Sequence, residues 1–330
     1  MWIVEAYRTL AFSLYGTLHF TRSAFLKHAA GFKKEDLDVD MAGKNCVVTG
    51  ANTGIGFASA EALAARGANV FLVCRNKEKG EKAVSEIKSK TGNDKVELEL
   101  CDLSSLKEVK ELATRFLSMD RPLYVLVNNA GLMEHERKTT VDGLELNFAV
   151  NIAASYTLTE LLMPALEKAA PESRVVTVSS GGMYGSSLTE DLQYSDDKFN
   201  GLVQYSRNKR LQIAMTENWA KLYGSKGVGF YTMHPGWVDT EGVAKSLSSF
   251  REKFQGKLRT IDQGADTIVW LSLQPNSKLK SGEFYFDRAL APKHLAACGT
   301  GYKPQLAAKI ISKVRQICGL DAPVREENVA

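Results

Sequence analysis

The sequence predicts a doubly wound α/β domain, a three-layer α/β/α arrangement on a parallel sheet, preceded by a helical N-terminal extension. Two observations carry this. From Lys44 onward, short β-branched apolar runs alternate with longer amphipathic stretches, the pattern of a parallel sheet covered by helices on both faces. After the first run comes a glycine-rich turn, Thr49-Gly50-Ala51-Asn52-Thr53-Gly54-Ile55-Gly56, with its strand before it and a helix after it.

The expected strands are, in order, Asn45 to Thr49, Asn69 to Val73, Val96 to Cys101, Leu123 to Val127, Arg174 to Ser179 and Val228 to Thr232. Most are apolar throughout, as strands covered on both faces must be. The third alternates through Glu97 and Glu99 and belongs nearer an edge, while a further run, Gly282 to Phe286, is expected to close the sheet's edge. The first helix after the glycines is expected over Phe57 to Arg66 and the last over Gln305 to Cys318, ahead of a polar tail. The organisation expected is an extension over 1–40, the sheet domain over 41–290, and a C-terminal helix and tail over 291–330.

Within Met1 to Gly31, the residues Ile3, Tyr7, Leu10, Leu14, Leu18 and Phe25 fall near helical spacing and read as one amphipathic helix. Arg8, Arg22, Lys27, Lys33 and Lys34 stand against Glu5 alone, so the segment is basic. Its longest uncharged stretch, Thr9 to Thr21, has thirteen residues, short of the ~20 that a membrane span needs. Such a helix either packs on the domain or lies in a membrane interface, and a mitochondrial presequence is the third reading. No A-x-A site accompanies it, so a secretory signal is not expected.

With 330 residues, 44% of them hydrophobic, the chain can bury a full core. Its net charge of +4 is too small for binding by phosphate neutralisation, and no nucleic-acid partner is expected. The five cysteines (Cys46, Cys74, Cys101, Cys298, Cys318) are odd in number and show neither a C-x-x-C pair nor zinc spacing, so no metal is assigned and an intracellular, reduced setting is expected. Three of them, in apolar runs, read as buried thiols.

The glycine turn has the physics of a dinucleotide site. Glycines let the backbone approach a pyrophosphate, and the helix N-terminus offers unpaired N–H groups to its charge. The second strand ends Val73-Cys74-Arg75, where an acidic residue would bind a ribose 2′-hydroxyl. A guanidinium binds a 2′-phosphate instead, so NADP(H) is expected over NAD(H), with Arg75 as the discriminating residue.

The spacing T-G-x-x-x-G-I-G resembles that of the short-chain dehydrogenase/reductase family, and further motifs follow in that family's order from about Lys44 to Asp287. The resemblance implies a Rossmann-like fold and an NAD(P)-dependent oxidoreductase. Gly50, Asn52, Thr53, Gly54, Ile55 and Gly56 would hold the pyrophosphate; Asn128-Asn129-Ala130-Gly131 resembles the family's N-N-A-G element, and Asp102-Leu103 its adenine contact. His234-Pro235-Gly236-Trp237-Val238-Asp239-Thr240 resembles the P-G-x-V-x-T element, in which Pro235, Gly236, Val238 and Thr240 would meet the cofactor. His234 itself reads as a packed or capping histidine rather than an acid or base.

Tyr205 and Lys209 stand at i and i+4 on one helical face. With Ser180 and Asn151 they resemble the family's Asn-Ser-Tyr-Lys tetrad. That resemblance implies that Tyr205 protonates the carbonyl oxygen as hydride arrives, Ser180 orients that oxygen, Lys209 holds the nicotinamide ribose and Asn151 anchors a water. Ser179 and Asn147 are the alternatives to Ser180 and Asn151. Bringing a phenol from a pKa of ~10 to near 7 takes ~3 units, or about 4 kcal/mol, which an adjacent ammonium and a cationic ring in a water-poor site can supply.

The 24 residues between Ser180 and Tyr205, with the basic extension, resemble one subgroup of the family, more distantly related to retinol-dehydrogenase-like and chloroplast-import-associated reductases. The substrate pocket is expected from Glu241 to Arg259 and the Tyr184 to Gly201 insert, and Val243, Leu247, Phe250 and Phe254 hint at a lipophilic carbonyl or alcohol. The rival reading is a non-enzymatic NADP-binding regulatory or scaffold protein. The other partner expectations are peripheral membrane contact through residues 1–31, cytoplasmic or membrane-associated, and a homo-oligomer.

Overall fold

The computed structural model describes residues 2–194 and 199–320, with side chains from residue 10 onward. Alternation of strand and helix produces one eight-stranded sheet. Its strands are β1 (Asn45–Thr49), β2 (Asn69–Cys74), β3 (Val96–Leu100), β4 (Val125–Asn128), β5 (Arg174–Val178), β6 (Gly229–Met233), β7 (Phe284–Phe286) and β8 (Ala289–Leu290). They lie in the order β3-β2-β1-β4-β5-β6-β7-β8. All pair in parallel except β8, which pairs antiparallel to β7. The alternating strand with Glu97 and Glu99 is indeed at an edge. The other edge is β8, not the Gly282 to Phe286 run, because the chain reverses at Asp287 and Arg288, both with positive φ, and adds a short strand outside it.

Neighbouring residues of each strand feed opposite layers. Val47, Phe71, Leu126, Val175 and Phe230 point into one core, while Val48, Leu72, Val127, Val176 and Tyr231 point into the other. The first layer contains α5 (Leu106–Ser118), α7 (Ser155–Lys168) and α8 (Gly201–Tyr223); the second contains α3 (Gly54–Ala64), α4 (Lys77–Thr91) and α11 (Ile261–Leu273). Cys46, Cys74 and Cys101 are buried in these layers, and burial pushes the Cys46 thiol up to about 12. Strand order reverses between β1 and β4, and open α/β sheets bind ligands at that switch point.

The C-terminal helix α12 (Pro304–Ile317) packs Ile310, Ile311 and Val314 onto the first layer. Arg315 Nη1 donates to Glu160 Oε2 at 2.6 Å, and that carboxylate also accepts from Trp219 Nε1 and the Tyr223 hydroxyl. The expected tail beyond residue 320 lies outside the described residues.

The N-terminal extension departs from the single helix read in the sequence. It forms α1 (Trp2–His19) and α2 (Arg22–Ala29), because Thr21 is extended, with φ −75° and ψ 167°, and breaks the helix. The hairpin docks on the domain through an aromatic face instead of the leucine stripe. Phe20 and Phe25 are buried, and Phe12 and Tyr15 pack near Tyr184 and Phe286. Gly16 lets α1 approach the domain, since a Cβ there would lie 2.5 Å from Trp237 Cζ2. Leu10, Leu14 and Leu18, the stripe read as facing either the domain or a membrane interface, are 68%, 59% and 62% exposed. The side chains of Ile3 and Tyr7 lie outside the described residues.

The first part of the insert after Ser180 is packed on the domain. Tyr184 is buried and its hydroxyl donates to the Pro292 carbonyl, while Leu188 and Leu192 join the first core. Residues 195–198 of the insert lie outside the described set.

Candidate active site

The glycine turn and the Asn129 segment interlock at the switch point. Thr49 Oγ1 accepts from the Asn129 and Ala130 N–H groups, each at 3.0 Å, and Asn129 Nδ2 donates to the carbonyls of Thr49 at 2.8 Å and Gly50 at 3.3 Å. Two glycines make this possible. Gly50 adopts φ +63° against Ala130 Cα, and a Cβ on Gly56 would collide with Asn129 Nδ2 and the Gly50 carbonyl. Helix α3 opens at Gly54, three residues before the expected Phe57, because positive φ at Gly50 and Gly54 lets the chain turn inside the motif.

Thr53 caps α3 without a side-chain hydrogen bond, so Gly54, Ile55 and Gly56 present first-turn backbone amides that no capping side chain claims, while Asn52, ahead of the cap, turns its backbone amide to the Cys74 thiol. Across the cleft, Thr240 caps α9 (Glu241–Ser246), its Oγ1 accepting from Val243 N at 3.2 Å. Its methyl would stand 3.8 Å from a Cβ on Gly54. Val238 and Ile55 both pack against Gly264 of α11, and Gly236, after Pro235, takes φ +82° above the Arg259 guanidinium.

Arg75 emerges at the end of β2, exposed and, among the described residues, without an ion-pair partner, while Gly50 N donates to Val73 O and brings the turn beside that strand end. Asp102 Oδ1 accepts from Ser104 N at 2.9 Å and Leu103 packs on the first core. A glycine cradle and a helix N-terminus at the switch point fit the pyrophosphate of a dinucleotide.

Beyond the cradle, α8 carries Tyr205 and Lys209, whose Nζ lies 5.4 Å from the Tyr205 ring centroid. Lys209 Nζ donates to Val178 O at 2.8 Å, which leaves two of its three N–H groups. A Cβ on Gly131 would lie 3.1 Å from Asn151 Oδ1 and 3.4 Å from Lys209 Nζ, so these three residues meet. Asn151 lies in a π-helical stretch, Ala149–Ala154, between α6 (Leu146–Phe148) and α7; such stretches are frequent at functional sites. Its side chain both accepts from and donates to the Leu132 backbone at 2.9 Å, which leaves one amide N–H and one Oδ1 lone pair, while its backbone carbonyl accepts from Gln212 Nε2 at 2.9 Å and Ser155 Oγ at 3.0 Å. Asn147, the alternative, is spent in the same way on Glu134.

The two serines divide. Ser179 Oγ is buried and donates to the Lys209 carbonyl at 2.9 Å, whereas Ser180 Oγ accepts from Gly182 N at 3.1 Å and interacts with Tyr205. Burial lowers the Lys209 ammonium to about 7. Burial also raises the Tyr205 phenol, and the Ser180 hydroxyl draws it back down. The protein alone thus opposes an ionised Tyr205, the reverse of what the chemistry needs, so the offsetting positive charge has to come with the ligand. His234 is packed: its Nδ1 accepts from Gly181 N at 3.1 Å, its ring stacks on Phe286, and burial with Arg259 and Lys209 nearby holds it far below the ordinary histidine range. Sequence reasoning missed Gln212, although it falls on the Lys209 face at i+3, and missed Phe20, Arg259 and Asp287, which no local spacing marks.

An open parallel sheet with a glycine cradle at its switch point and a Ser, Tyr and Lys group beside it defines a dinucleotide-dependent oxidoreductase site. The family model described as short chain dehydrogenase matches residues 44–250, and the chain belongs to the short-chain dehydrogenase/reductase family. It is 41% identical to dehydrogenase/reductase SDR family member 12 of Bos taurus over 94% of this chain and 98% of that protein. It is 38% identical to human retinol dehydrogenase 11, over 76% of this chain and 79% of that one. Among solved structures, an uncharacterised protein of Mycobacterium paratuberculosis aligns with TM-score 0.68 at 24% identity, over 88% of this chain and 98% of its own.

Proposed function

We propose that the protein interconverts a carbonyl and an alcohol on a lipophilic small molecule, with NADP(H) as cofactor. The observation that carries this is a chain of contacts beside the Gly50–Gly56 cradle: Ser180 meets Tyr205, Lys209 Nζ stands over the Tyr205 ring, and Lys209 and Asn151 meet at Gly131. Bound on that cradle, the cofactor would supply or accept the hydride. Gly50, Gly54 and Gly56 admit its pyrophosphate, and Arg75 offers a bidentate contact to a 2′-phosphate.

Tyr205 gives its phenolic proton to the substrate oxygen in the reductive direction and takes it back in the oxidative one. Ser180 Oγ, its orientation fixed by Gly182 N, donates to the same oxygen. Lys209 directs its two remaining N–H groups toward a ribose, with its Nζ 5.4 Å from the Tyr205 ring centroid. Asn151 pins Leu132, keeping the Gly131 backbone clear of Lys209. A lipophilic substrate is supported by Trp237, Phe250 and Phe254, whose rings pack within 4.9 Å of one another beside the P-G-x-V-x-T element, and by the retinol dehydrogenase relatives.

The exposed Leu10, Leu14 and Leu18 on the basic extension support peripheral contact with a membrane surface, made while the opposite face of α1 stays docked. Among the described residues no helix is long and apolar enough to cross a membrane.

The test is NADPH oxidation against retinoid, steroid, fatty and small aromatic carbonyls, with Tyr205→Phe beside the wild type. Turnover in the wild type, a loss of ~10²-fold or more in the variant and intact NADPH binding in both are expected. A wild type that binds NADPH and turns over no member of the panel would favour a scaffold.

A further inference from the structure

Phe20 is remote from Ser180 and Tyr205 in the sequence but lies beneath them in the fold. Its ring, 1% exposed, meets His234 at 4.3 Å, Phe286 at 5.3 Å and Trp237 at 5.8 Å between centroids. Its edge fills the place where a side chain at Gly181 would stand, since a Cβ there would lie 2.5 Å from Phe20 Cε2.

The Ser180 turn rests on this edge. Gly181 N donates to His234 Nδ1 and Gly182 N donates to Ser180 Oγ, each at 3.1 Å, and a Cβ on Gly182 would be 3.6 Å from Tyr205 Cε1. Two consecutive glycines have no side chains with which to fix their own conformation, so the turn is set from outside, by Phe20 and His234 below and Tyr205 above. The backbone of Phe20 is fastened as well: its carbonyl accepts from Trp237 N at 2.9 Å and Arg259 Nε at 3.0 Å.

We infer that Phe20 is a positioning residue for the reaction and that the N-terminal hairpin forms part of the active site's floor. This rests on the reading of Ser180 and Tyr205 given above. Removing the ring lets the Gly181-Gly182 turn relax, Ser180 Oγ drifts from the substrate oxygen, and proton and hydride transfer slow together. The cofactor cradle, built from β1 and α3 on the far side of the switch point, is untouched.

Full-length Phe20→Ala and the milder Phe20→Leu test this, with Leu26→Ser on the exposed face of α2 as control. In Phe20→Ala, kcat is expected to fall roughly 10- to 100-fold, the cost of a displacement of about 1 Å at the reacting centre. NADPH affinity falls far less than kcat, because the Gly50–Gly56 cradle is unchanged, and the isotope effect with 4-deuterated NADPH rises because the chemical step becomes limiting. Phe20→Leu recovers part of the rate, and Leu26→Ser keeps all of it. A merely structural Phe20 would lower the folded fraction and leave the isotope effect and the rate per NADPH site unchanged, and that result would overturn the inference. Should Phe20→Ala fail to fold, the isotope effect in Phe20→Leu decides in the same way. A wild type inactive on every carbonyl would instead count against the proposed reaction.

Discussion

Arg259 and Asp287 form a bidentate ion pair, at 2.5 and 3.0 Å, in which both side chains are within 3% of full burial. Arg259 also donates to the carbonyls of His19 and Phe20, and Asp287 Oδ2 pairs with His28 Nδ1 at 2.7 Å. The guanidinium is stacked over Phe25 and Phe286. One buried pair thus ties the N-terminal hairpin to the strand ends that carry the site. Removing one partner strands the other as a buried charge, so Arg259→Met or Asp287→Asn should each destabilise by about 3–5 kcal/mol in urea unfolding. Arg259→Met combined with Asp287→Leu should cost less than the sum, and an additive double variant would show that the two act separately.

Arg75 should decide the cofactor. Arg75→Asp is expected to move preference from NADPH toward NADH, through loss of a charge-assisted contact of about 1.5–3 kcal/mol, or roughly 10- to 150-fold. Calorimetric titration of both cofactors on both proteins measures it. Equal wild-type affinity for NADH and NADPH would remove Arg75 from the site.

Lys209 gives a pH signature in the cofactor-free protein. Its folded pKa of about 7 lies below the ordinary lysine value of 10.5, so between these values the unfolded chain binds the extra proton and stability rises with pH. The penalty of burying the ammonium is complete below pH ~7 and is relieved as pH rises toward ~10.5. Wild type should therefore gain on Lys209→Met over that range, by at most about 1.4 kcal/mol per pH unit. Parallel stability curves for the two proteins would contradict the shift.

The exposed leucines are predicted to matter only at a surface. Replacing Leu10, Leu14 and Leu18 by Ser should leave the melting temperature unchanged and abolish co-sedimentation with vesicles of phosphatidylcholine and phosphatidylserine at low salt. Each leucine buried in the interface is worth about 1.5–3 kcal/mol, so the combined loss is large. Wild-type protein that remains in the supernatant with these vesicles would end the membrane reading.

The positions of the strands along the chain, the glycine turn and the helical pair Tyr205 and Lys209 were legible in the sequence because each depends on neighbours within a few residues. Apolar runs covered on both faces, positive φ at Gly50 and an i, i+4 spacing are local quantities. Tertiary structure alone decided which side of α1 docks. Leucine periodicity marked Leu10, Leu14 and Leu18 as one face without saying what it meets, and the aromatic surface of Trp237, His234 and Phe286 takes Tyr15 and, just past the helix, Phe20 instead. The same holds for the insert, whose Tyr184 and Leu188 find core partners more than a hundred residues away or on other elements. It holds for Arg259 and Asp287 too, since their pairing requires β7 and the segment after Trp237 to meet, and no spacing in the chain encodes that distance. Periodicity tells which residues share a face; the shape and chemistry of the surface opposite decide which face is buried.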